Sequence, residues 1–257
     1  MSNPSAVSTV RVETVGAVGR ITLHAPERLN AVDPEMCRAV ADAVRAFDAD
    51  ATVRVVALTG SGRGFCSGAP LSADGATTGT LYAGADLVRT LLGSRTPVVA
   101  LVNGVAAGIG VPMALACDHV LASDAASFVL AFARIGLMPD GGSTALVAAS
   151  VGRARAMRLA LTGERLDAVT AAEWGMVAEC VAADGFEVRA EEVLSAFAAG
   201  ATLALAETKA GVNAASVDVE AALAREEAGQ LRLMATEDYR EGVAAFVAKR
   251  PAAFAGH

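Results

Sequence analysis

Residues 98–118 read VVALVNGVAAGIGVPMALACD. The opening Val98–Val102 run is apolar and β-branched, the pattern of a buried strand. Asn103-Gly104 is a turn pair. Gly108-Ile109-Gly110 then leads into an apolar helix running to Ala116. A second stretch has the same order of parts: VVALTGSGRGFCSGA at 55–69, a buried strand over 53–59 followed by a glycine-rich loop over Gly60–Gly68. Two strand–loop–helix units of this kind predict a repeating ββα spiral, an α/β fold. Both loops follow buried strands, which predicts that they meet on one side of the same sheet. Glycine lets a ligand come close to backbone N–H groups. The same spacing also fits tight turns that do nothing further.

Around this centre the pattern is regular. Val10–Val15 and Val18–Leu23 flank Gly16 as a hairpin. Residues 1–8 read as a frayed end, and Pro26–Asn30 as a loop. Asp33-Pro34-Glu35 opens a helix with an N-cap aspartate, a proline at the first position and an acidic first turn. Ser72–Thr80 is a polar stretch leading into a helix over Tyr82–Leu92. His119–Ala122 and Met176–Val181 read as strands. Val151–Leu161 and Ala168–Trp174 read as helices, the latter ended by Gly175. Helical periodicity dominates after about residue 186. We therefore expect an α/β core over 1–190 and a helical C-terminal region over 191–257.

Composition narrows the function. The chain has 257 residues, 54% hydrophobic, with a net charge of −7. It can bury a large core, which excludes disorder. Its acidity disfavours non-specific binding to nucleic acid or anionic membrane. Thr96–Cys117 is free of charge for 22 residues, long enough to span a bilayer. Pro97, Asn103-Gly104, Gly108, Gly110 and Pro112 break it, so strand, turn and helix fit better than a membrane span. Cys37, Cys66, Cys117 and Cys180 are widely spaced and read as reduced thiols of a cytoplasmic protein. Three histidines and no CxxC pair leave little for a metal site. There is no GxGxxG after a strand, no GxxxxGK[ST] and no GxSxG.

Asp140 lies in GLMPDGGST, residues 136–144. A carboxylate there suits a base in an apolar pocket, its pKa raised by burial. It equally suits a turn or cap for the helix that follows. Lys249-Arg250 is the one adjacent Lys-Arg pair, suited to a phosphate or to an ordinary helix end. Trp174 reads as core, and His24 and His119 as packed or hydrogen-bonded.

Five segments in order resemble the enoyl-CoA hydratase/isomerase (crotonase) family, over nearly the whole chain. PERLNAVDPEM resembles P-x-x-x-N-A-L, and GRGFCSGAPL resembles F-C-A-G-A-D-L. VNGVAAGIGVPMALACD resembles V-N-G-x-A-x-G-G-G-x-E-L-A-L-x-C-D. GLMPDGGST resembles G-x-x-P-x-G-G-x-x, and FVAKRPAAF resembles F-x-x-K-R-x-P-x-F.

The resemblance implies a crotonase-like spiral, C-terminal helices that build homotrimers or homohexamers, and an acyl-CoA thioester as substrate. No separate cofactor is implied, because coenzyme A is part of the substrate. The family's thioester oxygen sits between two backbone N–H groups, which fall on Ala69 and Ile109. Ile109 stands where the family usually has glycine, so its side chain must find room. The CoA moiety would run along Arg28, Leu29 and Ala31 and along Phe65, Ser67 and Gly68. Gly108 and Phe132 would border the acyl site. Lys249 matches a residue that reaches CoA phosphates, sometimes in a neighbouring subunit, and Phe254 closes the same motif.

Departures from the pattern bear on the reaction. The two glutamates that activate water in the family's hydratases fall on Pro112 and Phe132. Pro70 replaces the aspartate of G-A-D. Asp140 sits where several of the family's isomerases carry an aspartate. The expected reaction is therefore a Δ3 to Δ2 shift of an enoyl-CoA double bond, with Asp140 as single acid and base. An enoyl-CoA hydratase of β-oxidation and a non-catalytic acyl-CoA-binding homologue are the alternatives.

Overall fold

The computed structural model describes residues 9–71 and 77–257. The end expected at 1–8 and most of the polar stretch Ser72–Thr80 lie outside them.

The β-branched runs form the main sheet. Strands β1 (Val10–Val15) and β2 (Val18–Leu23) make the expected hairpin, with Gly16 at φ 60° in its turn. Asp33 Oδ1 then caps α1 (Pro34–Ala49) by accepting from Met36 N at 2.8 Å. β3 (Val55–Gly60) pairs parallel with β2, and the short β4 (Gly64–Cys66) follows it. α2 (Thr78–Gly93) starts four residues before the expected Tyr82.

The repeat now returns. β5 (Val98–Val102) pairs parallel with β3, β6 (Val105–Ala107) with β4, and α3 (Gly110–Leu115) follows. β7 (His119–Ser123) and β8 (Ser127–Val129) are the third long–short pair. The long strands, with the short β10 at one edge, build one sheet, ordered β1-β2-β3-β5-β7-β10, and the other short strands build a second, ordered β4-β6-β8-β9. Here β9 is Arg165–Asp167 and β10 is Glu179–Val181. The strand expected at Met176 begins only at Glu179. Met176 N instead bonds back to Ala171 O, closing the turn after α6 (Ala168–Glu173).

After β8, a 3-10 turn (Ala131–Ile135) leads through the Asp140 loop into α4 (Ser143–Val151) and α5 (Arg153–Thr162). The rest is helical, as expected: α7 (Phe186–Ala199), α8 (Thr202–Ser216), α9 (Val219–Leu233) and α10 (Glu237–Val247). The boundary expected at 190/191 falls inside α7. That helix covers one face of the main sheet with Phe186, Ala190, Val193 and Leu194 against Val55, Val99 and Leu121. Trp174 is partly buried at the edge of the main core, with the Arg155 guanidinium 4.7 Å from its ring centre. No helix among the described residues is long and apolar enough to cross a membrane.

Candidate active site

The two glycine-rich loops touch. A Cβ built on Gly68 would lie 3.2 Å from Ala107 O, and one built on Gly108 would lie 3.4 Å from Gly68 Cα. A Cβ on Gly110 would overlap Cys66 O. Close backbone approach is what these glycines allow. Ala69 and Ile109, the residues just after the contact, are thereby brought side by side. Among the described residues neither of their N–H groups finds a protein acceptor.

The Ile109 side chain is buried. Its Cδ1 fits where Gly84 on α2 and Gly141 beside Asp140 have no side chain: a Cβ on Gly84 would stand 3.0 Å from Cδ1, and one on Gly141 would overlap it. Gly141 also has φ 64°. Gly141→Ala is therefore expected to lower stability in urea unfolding by about 1–3 kcal/mol from the left-handed backbone, with the clash in addition. Ile109→Val, which removes Cδ1, should recover most of the clash and leave the backbone component and the tight 3.1 Å approach to Pro112 Cγ.

These loops wall a cavity of ≈ 270 Å³. Ser67, Gly68, Ala69, Gly108, Ile109, Phe132 and Asp140 all line it. The other expected residues do not. Phe65 is fully buried in the core. Leu29 (φ 51°) and Ala31 lie in the turn behind Ser67, whose N–H donates to Leu29 O. Arg28 pairs with Asp33 at 3.2 Å. Lys249 and Phe254 are exposed near the C-terminus, past α10. Cys66 is buried and its thiol is pushed up to about 12 by burial, unsuited to nucleophilic work. No cluster of three or more possible metal ligands occurs among the described residues.

Asp140 is the one carboxyl among the cavity's lining residues. Burial pushes it up to about 7; a hydrogen bond from Gln230 opposes that, and the Glu226 charge adds to it. A carboxyl that titrates there can both take and return a proton near neutral pH. Its loop is held from within, since Ser143 donates to Asp140 O from both Oγ (2.6 Å) and N (3.1 Å). It is held also from α9. Glu226, 1% exposed, accepts from Gly142 N (2.6 Å), Thr144 N (2.8 Å) and Thr144 Oγ1 (2.6 Å). Gln230, one turn later, donates Nε2 to Asp140 Oδ2 at 2.8 Å. The sequence reading missed both. Their signal was available: two polar residues four apart share the buried stripe of Ala222, Leu223 and Gly229.

The remaining walls are mostly apolar, with Leu71, Leu81, Ile135, Leu137, Met234 and Phe246 among them and Thr77 and Thr80 adding hydroxyls. Arg134 is the one cation among the lining residues.

The sequence profile described as enoyl-CoA hydratase/isomerase matches residues 13–257. The Escherichia coli 1,2-epoxyphenylacetyl-CoA isomerase is 39% identical over 248 residues, 92% of this chain and 94% of that protein. The crystal structure of an enoyl-CoA hydratase from Mycobacterium avium subsp. paratuberculosis superposes with a TM-score of 0.91 at 43% identity, covering 97% of this chain and 100% of that one. A carnitinyl-CoA hydratase from Mycobacterium avium superposes at 0.87 with 29% identity, covering 98% and 100%. The spiral of paired long and short strands is thus the crotonase fold, and the chain belongs to the enoyl-CoA hydratase/isomerase family.

Proposed function

We propose that the protein is an acyl-CoA isomerase that moves an enoyl thioester double bond from Δ3 to Δ2. The observation that carries this reading is the single carboxylate. Asp140 lines a largely apolar cavity beside two N–H groups that have no protein acceptor among the described residues, and the family resemblance sets Pro112 and Phe132 where the hydratases carry their glutamates.

In this reading the Ala69 and Ile109 N–H groups receive the thioester oxygen. Asp140 takes a proton from C2, and the C–H electron pair becomes the C1–C2 double bond of a dienolate. The negative charge rests on the oxygen between the two donors, an arrangement in which one donor contributes about 10²–10³-fold. The dienolate then collapses: C4 takes the proton back from Asp140, the C3–C4 π pair forms the new C4–H bond, and the C1–C2 pair shifts to C2–C3. Atoms and electrons balance without water. Phe132 and the aliphatic walls favour this over hydration by keeping the proton on Asp140.

The similarity to the E. coli epoxyphenylacetyl-CoA isomerase supports a second reading, isomerisation of an epoxidised arylacetyl thioester on the same groups. Lys249 is exposed and outside its own chain's cavity. That fits phosphate binding at a neighbouring subunit of a homotrimer or hexamer.

The test is 3-hexenoyl-CoA in D₂O, followed by NMR. The expected result is migration to the 2-enoyl product with part of the original C2 proton recovered at C4. No migration and no C2 exchange, despite measured thioester binding, would overturn the reading. Label from H₂¹⁸O entering C3 would place the protein with the hydratases instead.

A further inference from the structure

The two oxygens of Asp140 are not equivalent. Oδ2 accepts the Gln230 Nε2 hydrogen bond at 2.8 Å, while Oδ1 has no protein partner among the described residues. Gln230 is 3% exposed, and its own Oε1 is buried without a partner. An unpaired buried amide oxygen is costly to keep. Apolar side chains of similar length would avoid that cost. The amide's one hydrogen bond goes to the base.

The amide is also held in place from its own helix. Glu226, one turn earlier, grips the backbone of Gly142 and Thr144, so α9 cannot slide along the Asp140 loop without losing three bonds. Gly229 lies between them, and a Cβ there would overlap Met138 Sδ, so the helix also approaches the loop closely.

We propose that Gln230 is a positioning residue that divides the work of the Asp140 carboxyl, anchoring Oδ2 and leaving Oδ1 as the proton carrier. This rests on the isomerase reading only for the identity of the proton carried. One anchored oxygen has a consequence for stereochemistry: the carboxyl does not rotate between C2 and C4, so removal and return occur on the same face of the dienolate.

The neighbouring charges leave this task to Gln230. Glu226, facing the loop from α9, repels the ionised carboxylate. The Cys37 thiol, on α1, is pushed up to about 12 by its own burial and stays neutral. Arg134, on the 3-10 turn, lines the same cavity without an ion pair among the described residues. Gln230 gives the one hydrogen bond that favours the charged form of Asp140.

The experiment compares Gln230→Met and Gln230→Glu with the wild type, each checked for folding by circular dichroism. Infrared spectroscopy follows the carboxyl band that disappears in Asp140→Asn, as a function of pH. In Gln230→Met the midpoint is expected to rise by about one unit, the loss of one charge-assisted hydrogen bond. The kcat/KM for 3-hexenoyl-CoA should then fall about tenfold at pH 6 and recover by pH 9. In Gln230→Glu the single titration should become two steps, because two adjacent carboxyls share protons. A midpoint unmoved in both folded variants would overturn the proposal even if isomerisation is observed. A midpoint that moves in a protein that exchanges no C2 proton supports the anchor and overturns the isomerase reading instead.

Discussion

Asp140→Asn is expected to lose about 10²–10⁴ of kcat on a 3-enoyl-CoA, the range of general acid–base catalysis, with substrate affinity changed little. Asparagine keeps the shape and can still accept from Gln230, so the cavity and the Ala69 and Ile109 N–H groups stay in place. What it cannot do is hold a proton. The same substitution is expected to stabilise the fold. Asp140 titrates near 7 in the folded chain because burial disfavours its charge, whereas an exposed aspartate titrates at about 3.9. Between those two values the unfolded chain has released the proton and the folded one has kept it. Stability therefore falls as pH rises through that window and levels off above it. Asparagine removes the penalty. Urea unfolding should give Asp140→Asn an advantage on the order of 2–4 kcal/mol at pH 8 and none at pH 4. Equal stability of the two proteins at pH 8 would mean that the carboxyl is solvated and has no raised pKa.

Lys209→Met is the second large effect, expected to destabilise the chain by about 3–5 kcal/mol. Lys209, on α8, is 9% exposed. Its Nζ donates to Asp118 Oδ2 at 2.9 Å and to Leu91 O at 2.8 Å, tying the C-terminal helices to the end of α2. The same Asp118 oxygen accepts from Val98 N at 2.7 Å, at the start of β5. Removing the lysine strands a buried carboxylate on which a central strand depends. Burial raises the Asp118 carboxyl and Lys209 holds it down. Without the lysine it climbs further, so the loss in Lys209→Met should shrink as the pH is lowered and Asp118 takes up a proton. Adding Asp118→Asn to Lys209→Met should recover part of the loss at neutral pH, since asparagine is neutral and still accepts from Val98. A thermal midpoint for Lys209→Met within a degree or two of the wild type would show that the pair contributes nothing net.

Much of this architecture was legible in the chain because its signals are local. Asp33-Pro34 marks a helix start without reference to anything distant, and it is where α1 begins. Val98–Val102 and the strand before Gly60 are apolar on both faces, which only a covered parallel sheet satisfies. The second sheet was not legible. β4, β6, β8 and β9 are three residues each, too short for an alternation to be told from a loop. The site divides in the same way. Asp140 and the glycine loops carry their own sequence context. Glu226 and Gln230 act on residues 82 to 90 positions earlier, and nothing in the composition of α9 says which loop its buried polar stripe will meet.

That separation also sets an order of events during synthesis. The sheets, the glycine loops and Asp140 itself have all left the ribosome while α9 is still being made. A nascent chain at that stage has walls for a thioester but no helix to seat its acid or exclude water from it. The cavity is thus completed late, when residues 226 and 230 dock on the Asp140 loop and Phe246 of α10 then adds its wall. Under the proposed isomerase reading, a chain terminated before residue 230 carries Asp140 without the amide that anchors it.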